Sequence, residues 1–595
     1  MLSASTKRPF GGVFLFRAGF WAGCAWALLI GCWLNASHYR PWLNFQSEFM
    51  AFVGVALLFA TLAWQARPAT LALPAAAWFA LALLAIPLLQ WATGLLFFGG
   101  DFWLALIYLA GLAAAIACGY LKGREARHMA HAGLFGALPF GIFLWLPAVL
   151  SALIGVLQWL DYSVILGTWA NHDEIGARPM GNIAQTNQMA TLLLMGACAV
   201  WHDFEAGKLG RFTAALLLML LTVVMVFTQS RTGLLSASVL AVFLFWRLRR
   251  QASSAFKTPA WLPLGWLGLV WLTSALVPWI NDALLLGGNR NIALMDPNSR
   301  QVLWAQMWYA ITQSPWWGYG WNQTATAHNV GALGHPGKLT YGYAHNLVLD
   351  LTAWCGIPLG IAITLALAYW LLTRLRRVQG TTGIAAMAAL LPFTVHSLLE
   401  FPFAYGYFLA AAGILIGLVE AHLDRPPQTA PVSSRTALIC AALYAALGLV
   451  ITHDYIGAEK EFAVVRFNGM RIGKVPPDHE FPKILVLNQL DAMLRAGWLE
   501  PTPGMPAQQI ELLRKVAKRF PYGALGYHYA LALALNGNPA AAAEQLRVMH
   551  GMYGDGYYQA LLLALQNLQM TRYPQLRALG LWESNSAASV GSGEI

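Results

Sequence analysis

Long apolar stretches recur along most of this 595-residue chain, and they constrain its fold more than any other feature. The hydrocarbon core of a bilayer is about 30 Å thick, and about 20 helical residues cross it. We predict about thirteen membrane-spanning helices, at residues 14–34, 45–65, 71–91, 102–120, 134–160, 183–201, 212–227, 233–246, 261–280, 346–372, 384–399, 405–423 and 436–452. Because backbone polar groups inside lipid must pair with one another, the sequence predicts an all-α, polytopic helical bundle.

The basic residues indicate which helix ends face the cytoplasm. They gather at the amino terminus and in alternate loops: Lys7, Arg8, Lys122, Arg124, Arg127, Lys208, Arg211, Arg247, Arg249, Arg250, Lys257, Arg374, Arg376, Arg377, Arg425 and Arg435. Cytoplasmic loops carry such an excess of Lys and Arg. The net charge of +11 therefore reflects membrane topology, and we do not interpret it as nucleic-acid binding.

An odd number of spans places the C-terminal part of the chain outside, which in a bacterial inner membrane is the periplasm. We predict a transmembrane domain at 1–455 with a long periplasmic loop at 281–344, a periplasmic α-helical domain at 456–582, and a disordered tail at 583–595. Residues 523–546 have the pattern of a helix, a Gly/Asn/Pro turn and a second helix, which is typical of a tetratricopeptide-like (TPR-like) hairpin. A plain helical cap is the alternative.

Polar residues collect at the predicted outer ends of the spans, where ionisable groups near lipid are costly and mark functional sites. They are Arg178, Gln185, Asn187, Gln188, Arg231, Arg300, Trp316, Trp317, Tyr319, His345, Asn346 and Glu400. His345 and Asn346 stand directly before the apolar run that ends near residue 372. We expect these side chains to converge on one membrane face.

The residue types at this face favour a substrate that carries phosphate. Guanidinium groups bind phosphate bidentately and keep their charge when partly buried. A histidine at a helix amino terminus lies at the positive end of the helix dipole, which favours the neutral imidazole, and a neutral imidazole can act as a general base. The outer loops lack a convincing acidic pair for a divalent ion, so we predict no metal and no cofactor, with arginines neutralising the leaving group.

Three segments carry a resemblance to a known family. They are Thr-Gln-Ser-Arg-Thr-Gly at 228–233, Arg300 followed by Pro-Trp-Trp-Gly-Tyr-Gly at 315–320, and Ala-His-Asn at 344–346 followed by Gly-Ile-Pro-Leu-Gly at 356–360. They resemble the superfamily of O-antigen ligases and polymerases, which move glycans from undecaprenyl diphosphate in the periplasm. His-Tyr-Arg-Pro-Trp at 38–42, Gly-Asn-Ile-Ala-Gln-Thr-Asn-Gln at 181–188, Leu-Glu-Phe-Pro at 399–402 and the C-terminal extension are most similar to bacterial protein O-oligosaccharyltransferases of the pilin-glycosylating type.

The resemblance, which covers about residues 38–420, implies a glycosyltransferase of the bacterial inner membrane with its active site on the periplasmic face. The donor would be an undecaprenyl-diphosphate-linked oligosaccharide, and the acceptor a Ser or Thr of a pilin-like or other periplasmic protein. We predict catalytic roles for His345 and Glu400 and diphosphate contacts for Arg231, Arg300 and Arg178. Contacts to the glycan or acceptor are predicted for Gln185, Asn187, Gln188, Asn346, Trp316, Trp317 and Tyr319.

Each of these residues also has a structural interpretation. His345 would cap a helix, Arg231 would extend to lipid headgroups, Arg300 would form a loop salt bridge, and Glu400 would pair with an arginine. The three Gln and Asn residues at 185–188 would bond neighbouring helices, and the tryptophans would belong to an interfacial belt.

Rival functions also remain open at this stage: an O-antigen ligase acting on lipid A core, an O-antigen polymerase, a non-enzymatic flippase, or an asparagine-linked transferase. A second Ala-His-Asn occurs at 327–329, but only His345 is followed directly by a long apolar run.

Overall fold

The computed structural model describes residues 11–128, 140–172, 178–250, 256–286 and 299–580. These residues form twenty α-helices and one small sheet, which confirms the helical fold class. The helices before residue 300 are α1 Gly11–Gly31, α2 Phe45–Gln65, α3 Ala75–Ala82, α4 Ala85–Ala92, α5 Gly99–His128, α6 Phe140–Trp159, α7 Thr186–Glu205, α8 Arg211–Phe227, α9 Arg231–Arg250, α10 Leu262–Ala283 and α11 Ser299–Gln313. The later ones are α12 Thr324–Gly334, α13 Leu347–Arg377, α14 Gly380–Ser397, α15 Gly406–Ala421, α16 Ser434–Gly469, α17 Asn488–Trp498, α18 Ala507–Arg519, α19 Gly523–Leu535 and α20 Pro539–Thr571.

Twelve of the thirteen predicted spans each coincide with one helix over their described residues; positions 134–139 of the predicted span 134–160 lie outside the described residues. Eight helical segments of the described chain are long and apolar enough to cross a membrane. A multi-pass membrane protein is thereby confirmed, whereas the count of thirteen spans stays a prediction. The predicted span 71–91 differs most, because α3 and α4 are separated at Leu83 and Leu84. The predicted disordered tail lies outside the described residues.

The small sheet was not predicted. Strand β1, Thr70–Pro74, pairs antiparallel with β2, Thr429–Ser433, so that Thr70 lies opposite Ser433 and Pro74 opposite Thr429. Each strand has only five residues, and no hairpin turn joins the two, so the sequence lacks the pattern by which a strand is usually recognised.

The described chain divides into two compact units. The first comprises Met1–Ala85, Leu106–Asn291 and Leu367–Thr452, and the second comprises Ile86–Ala105, Ile292–Ala366 and His453–Ile595. In the first unit α7 is the central helix, buried along almost its whole length and packed against α6, α8, α9 and α14. An apolar helix buried on all sides is expected at the core of a membrane bundle.

Helices α5 and α15 of the first unit approach each other closely at two glycines. A Cβ atom added at Gly119 would overlap the Ile414 carbonyl oxygen, and one added at Gly417 would overlap the Ile116 carbonyl oxygen. Small residues allow such backbone contact, which gives packing energy where lipid offers no hydrophobic driving force.

The second unit contains α17–α20, whose sequential packing forms a second apolar core. The predicted hairpin is observed as α19 and α20: Gly537 has a φ of 84°, and the Asn538 side chain caps α20 by accepting from the Ala541 N–H at 3.2 Å. The helix, turn and helix are therefore confirmed, while the TPR-like assignment and the predicted domain boundaries stay predictions.

Candidate functional site

The predicted site residues fall in both units, and each group is described by itself. Arg178, Gln185, Asn187, Gln188, Arg231 and Glu400 belong to the first unit, and Arg300, Trp316, Trp317, Tyr319, His345 and Asn346 belong to the second.

In the first unit, the turn that carries Arg231 is fixed by hydrogen bonds. Ser230 is the N-cap of α9, since its hydroxyl oxygen accepts from the Gly233 N–H at 2.9 Å. Thr228 closes the preceding turn, donating to the Met225 carbonyl at 2.6 Å and accepting from the Ser230 N–H at 3.3 Å. Gln229 between them has a φ of 48°, a conformation rarely adopted by residues other than glycine. Arg231 therefore follows a well-defined turn.

The same turn is connected to two other predicted residues. The Ser230 hydroxyl donates to Asn187 Oδ1 at 2.6 Å, and Asn187 Nδ2 donates to Glu400 Oε1 at 3.2 Å. Glu400 is buried, with 6% of its surface exposed. The structure thus brings Asn187 and Glu400 together with the Arg231 turn, while their predicted roles stay predictions.

The two predicted cations of this unit differ in environment. Arg231 is exposed, at the first position of α9, and it has no hydrogen-bond or ion-pair partner among the residues that the structure describes. Arg178 is half-buried, and burial lowers the pKa of its guanidinium below the usual value. Arg178 remains charged at neutral pH, because an arginine pKa starts far above that range.

Gln185 and Gln188 have the contacts of structural residues. Gln185 is the N-cap of α7 and accepts from the Gln188 N–H at 2.6 Å, whereas Gln188 is buried and its Oε1 accepts from the Tyr407 hydroxyl at 2.8 Å. The Gln188 bond reaches a neighbouring helix, as in the structural alternative given above, whereas the Gln185 bond caps its own helix. Their contacts to substrate stay a prediction.

In the second unit, His345 lies in a strained turn at the start of α13. Its φ is 53°, which costs on the order of 1–3 kcal/mol in a residue other than glycine. Asn346 follows as the N-cap, and its Oδ1 accepts from the N–H groups of Val348 and Leu349 at 2.9 and 3.2 Å. The position of His345 at the amino end of a helix is as predicted.

Ala344, the residue before His345, is held by hydrogen bonds at both its N–H and its carbonyl group. The Ala344 N–H donates to Asp350 Oδ1 at 2.9 Å, and the Ala344 carbonyl accepts from the Trp304 indole at 3.0 Å. Asp350 is fully buried and also accepts from the Thr324 hydroxyl at 2.6 Å, while its Oδ2 has no hydrogen-bond partner. A buried carboxylate thus holds the turn that presents His345.

The second Ala-His-Asn has a different environment. His328 lies within α12 and is completely buried, with its Nε2 bonded to Gln306 Oε1 at 3.0 Å. Gln306 Nε2 donates to a carbonyl, so Gln306 Oε1 is the acceptor and His328 Nε2 carries the proton. Burial lowers the pKa of His328 to about 4. Its ring contacts Tyr341 edge-on at 5.7 Å, and Tyr341 contacts His345 in the same manner at 5.6 Å.

Arg300 is half-buried in the first turn of α11. It precedes Trp304 by four residues, and residues at this spacing share one face of a helix. Since the Trp304 indole bonds the carbonyl next to His345, this face of α11 is directed to the His345 turn. Arg300 is therefore expected on the face of α11 that carries Trp304, and its convergence with His345 and Asn346 stays a prediction.

The 315–320 turn docks on a break in α13. Gly356 has a φ of 78° and Pro358 lacks an N–H, so the helix loses hydrogen bonds there. The turn supplies replacements: the Ile357 N–H donates to the Pro315 carbonyl at 2.7 Å, and the Ala353 carbonyl accepts from the Tyr319 N–H at 2.8 Å. The Tyr319 hydroxyl donates inward, to the Ala310 carbonyl.

Trp316 and Trp317 extend outward from this turn and are 70% and 78% exposed. Their backbone contributes to the docked turn, but their rings are available to an external partner. This arrangement agrees equally with the two sequence interpretations, an interfacial belt and a sugar platform.

Two residues of the site were missed by sequence reasoning. Ser230 lies inside the Thr-Gln-Ser-Arg motif, and its N-cap role was available from the helix-start preference for Ser. Asp350 is an acid within an apolar run, which is itself a signal of function or of a specific partner. Among the described residues, no three His, Cys, Asp or Glu side chains group closely enough to bind a metal ion.

Comparisons with known proteins agree with the predicted resemblance. Residues 214–364 match the family described as O-antigen ligase, residues 179–201 match protein glycosylation ligase, and residues 384–567 match the C-terminal region of virulence factor membrane-bound polymerase. The chain is 29% identical to the general O-oligosaccharyltransferase of Acinetobacter baylyi over 566 residues, which cover 91% of this chain and 93% of that relative. It is 26% identical to the ComP-specific O-oligosaccharyltransferase of the same organism over 276 residues, or 46% and 49% of the two chains. The resemblance and the enzyme class, a glycosyltransferase, are confirmed.

Proposed function

We propose that this chain, which is similar over nearly its whole length to a general O-oligosaccharyltransferase, transfers an oligosaccharide en bloc from undecaprenyl diphosphate to Ser or Thr hydroxyls of periplasmic or pilin proteins. The observation that carries the mechanism is the His345 turn. The His345 imidazole is half-buried, the His345 backbone is strained, and the buried Asp350 carboxylate holds the preceding residue. Backbone strain of this kind clusters at functional sites.

In the proposed reaction His345 acts as the general base. The acceptor hydroxyl oxygen forms a bond to the anomeric carbon of the first sugar, and the bond from that carbon to the diphosphate oxygen breaks. The hydroxyl proton passes to the imidazole, and undecaprenyl diphosphate leaves. The single displacement needs no cofactor, because the leaving group carries away the bonding electron pair.

Arg231, Arg300 and Arg178 would stabilise the charge that develops on the leaving diphosphate. The exposure of Arg231 supports this role, because its charge is accessible to an external anion while the Ser230 cap fixes its backbone. For Glu400, the bond to Asn187 and onward to Ser230 supports a positioning role in which the carboxylate fixes the Arg231 turn. We place these events on the periplasmic face of a bacterial inner membrane.

The test is glycan transfer by the purified full chain from a lipid-linked oligosaccharide to an acceptor protein, followed by mass spectrometry. His345→Ala should bind donor normally and lower transfer by roughly 10²–10⁴-fold, the effect of a positioned general base. His335→Ala is the matched control, since His335 is an exposed histidine in the same stretch of chain. Transfer by His345→Ala at the wild-type rate would refute the mechanism.

A second candidate function has its own support. The matches to O-antigen ligase and to membrane-bound polymerase favour a lipid A core acceptor or a second lipid-linked glycan. Offering acceptor protein, lipid A core and lipid-linked glycan in parallel with one donor decides between them. Transfer to lipid A core alone would favour the ligase, and chain growth on the lipid-linked glycan would favour the polymerase.

A further inference from the structure

A long apolar groove runs between α2 and α16 in the first unit. Its volume is about 490 Å³, and apart from Glu48, Tyr444 and Thr452 its lining consists of apolar residues. Both helices contact α5. From α16 the Tyr444 hydroxyl donates to the Ile107 carbonyl at 3.1 Å, and from α2 the Phe52 ring contacts the Tyr108 ring edge-on at 5.1 Å. Ile107 thus lines the bottom of a space that α2 and α16 leave open.

The groove follows α16 along most of the predicted span 436–452. On α16 its lining extends from Leu438 to Thr452, which is about 21 Å along a helix that rises 1.5 Å per residue. Small residues from both helices line it, among them Ala56, Ala445 and Gly448. At about 30 Å³ for each group of water or methylene size, the volume holds roughly sixteen such groups, or about three isoprene units.

The end of the groove on the predicted outer side carries a single carboxylate. Glu48 is buried and accepts hydrogen bonds from the Tyr108 hydroxyl, the Trp42 indole and the Gly406 N–H. Trp42 stacks on Tyr108 with ring centroids 6.5 Å apart. The Glu48 oxygens are therefore occupied by protein donors, so the groove itself offers its occupant an apolar channel with an aromatic rim.

The loop that follows α14 joins this end of the groove to the residues bonded to the Arg231 turn. Gly406, whose N–H donates to Glu48, follows Glu400 by six residues. Glu400 is bonded to Asn187, and Asn187 to Ser230, the residue before Arg231. The 400–406 loop of the first unit thus extends from the rim of the groove to the residues bonded to the Arg231 turn.

We propose that the groove between α2 and α16 binds the isoprenoid chain of the donor, with about three isoprene units between the two helices. This inference rests on the proposed function, which supplies the polyprenyl donor. The small side chains leave room for the methyl branches of an isoprenoid, and the connection to Arg231 matches a chain that ends in diphosphate. An acyl chain of an ordinary phospholipid is the competing occupant.

The test uses the full chain in nanodiscs and two photoreactive probes that carry no glycan. One is a polyprenyl diphosphate with a diazirine in its third isoprene unit, and the other is a phosphatidylglycerol with a diazirine in one acyl chain. The polyprenyl probe should label peptides of α2 and α16. Excess undecaprenyl diphosphate should remove the labelling, whereas equal excess of phosphatidylglycerol should not.

Two neighbouring alanines of α16 provide a matched pair of variants. Both are exposed, but Ala445 lines the groove and Ala446 does not. Ala445→Phe should lower labelling by the polyprenyl probe about tenfold, the loss expected for about 1.4 kcal/mol of binding. Ala446→Phe should change it by no more than about twofold, as usual for surface substitutions.

Three results would overturn the proposal: equal labelling in the two variants, the same peptides labelled by the phosphatidylglycerol probe with equal competition, or no labelling of α2 and α16 in the wild-type protein. Because the probes need neither glycan nor acceptor, this outcome is separate from that of the transfer assay. Glycan transfer without labelling would refute the groove alone, and labelling without transfer would refute the proposed function alone.

Discussion

At the scale of single residues, two polar side chains determine how the proposed catalytic groups are presented. Ser230 caps α9 directly before Arg231, and Asp350 holds the peptide directly before His345. Neither side chain needs to contact substrate to affect the reaction. A displacement of about 1 Å at a reacting group can cost about 100-fold in rate.

Asp350→Ala should therefore impair the catalytic step more than donor binding. The change removes the acceptor of the Ala344 N–H and of the Thr324 hydroxyl, each of which would be left buried and unpaired at a cost of about 1–3 kcal/mol. We expect kcat to fall about 10–100-fold while the donor KM stays within about twofold. Steady-state kinetics of the purified variant measure both.

Asp350→Asn is the matched variant, because its side-chain oxygen can still accept both bonds. It should recover most of the lost kcat. If Asn and Ala are equally impaired, or if both variants change KM and kcat together, Asp350 supports the fold generally and has no specific part in positioning His345.

Arg231→Lys should retain the fold and lose most of the activity. Arg231 is exposed, so the free energy of unfolding should change by no more than about 0.5 kcal/mol. An ammonium cannot reproduce the bidentate guanidinium contact, and we expect transfer to fall about 10–100-fold. The transfer assay at saturating acceptor measures this loss.

Arg211→Lys is the control for Arg231→Lys, because Arg211 is also an exposed arginine at the first position of an apolar helix. Its predicted location is the cytoplasmic side, and transfer should be unchanged. Full activity in both variants would assign Arg231 to lipid headgroup contact.

At the scale of secondary-structure elements, the break in α13 and the 315–320 turn depend on each other. The Trp354 carbonyl, which Pro358 leaves without a helical partner, accepts from the Gly320 N–H at 3.1 Å and from the Gln90 side chain at 2.9 Å. Buried polar groups must find partners, so the broken helix requires the turn. The Gly-rich motif is therefore explained by backbone docking.

Gly318→Ala should separate this turn from α13. A Cβ at Gly318 would lie 2.5 Å from the Ala353 carbonyl oxygen, and the φ of 67° adds strain. Gly94 is the control position: its φ is 77° and nothing lies within 4 Å of an added Cβ, so Gly94→Ala measures the backbone strain without the steric overlap. We expect Gly94→Ala to cost about 1 kcal/mol of stability and Gly318→Ala a further 1–3 kcal/mol, measured by unfolding of the solubilised protein. Equal costs would show that the docking contact contributes nothing.

At the scale of the whole molecule, the proposal assigns charge neutralisation to arginines belonging to the chain itself. Transfer by the purified protein should therefore survive EDTA, because Arg231, Arg300 and Arg178 are proposed to carry out the task that a divalent ion performs in other transferases. The measurement is initial transfer rate before and after chelation. Loss of activity that magnesium or manganese restores would remove this mechanism.

The membrane class, the helix positions and the site candidates came from the sequence, because they depend on local patterns. Apolar length predicts spans, and arginines and a histidine at span ends predict a phosphate-handling site. The β1–β2 pairing was not predicted, since it joins segments far apart along the chain. The separation of α3 from α4 was not predicted either, and it has no structural explanation here.

The sequence by itself determined which residues are candidates, since an apolar run followed by polar residues can be recognised locally. Only the tertiary structure decided which side chains hold them. Asn187 bonds Ser230 across 43 positions of sequence and Glu400 across 213. The two Ala-His-Asn segments have the same residues, but one histidine is buried inside a helix and the other lies in the turn just before one. Burial and hydrogen bonding between distant segments exist only after the chain has folded, and that is why pattern alone could not distinguish them.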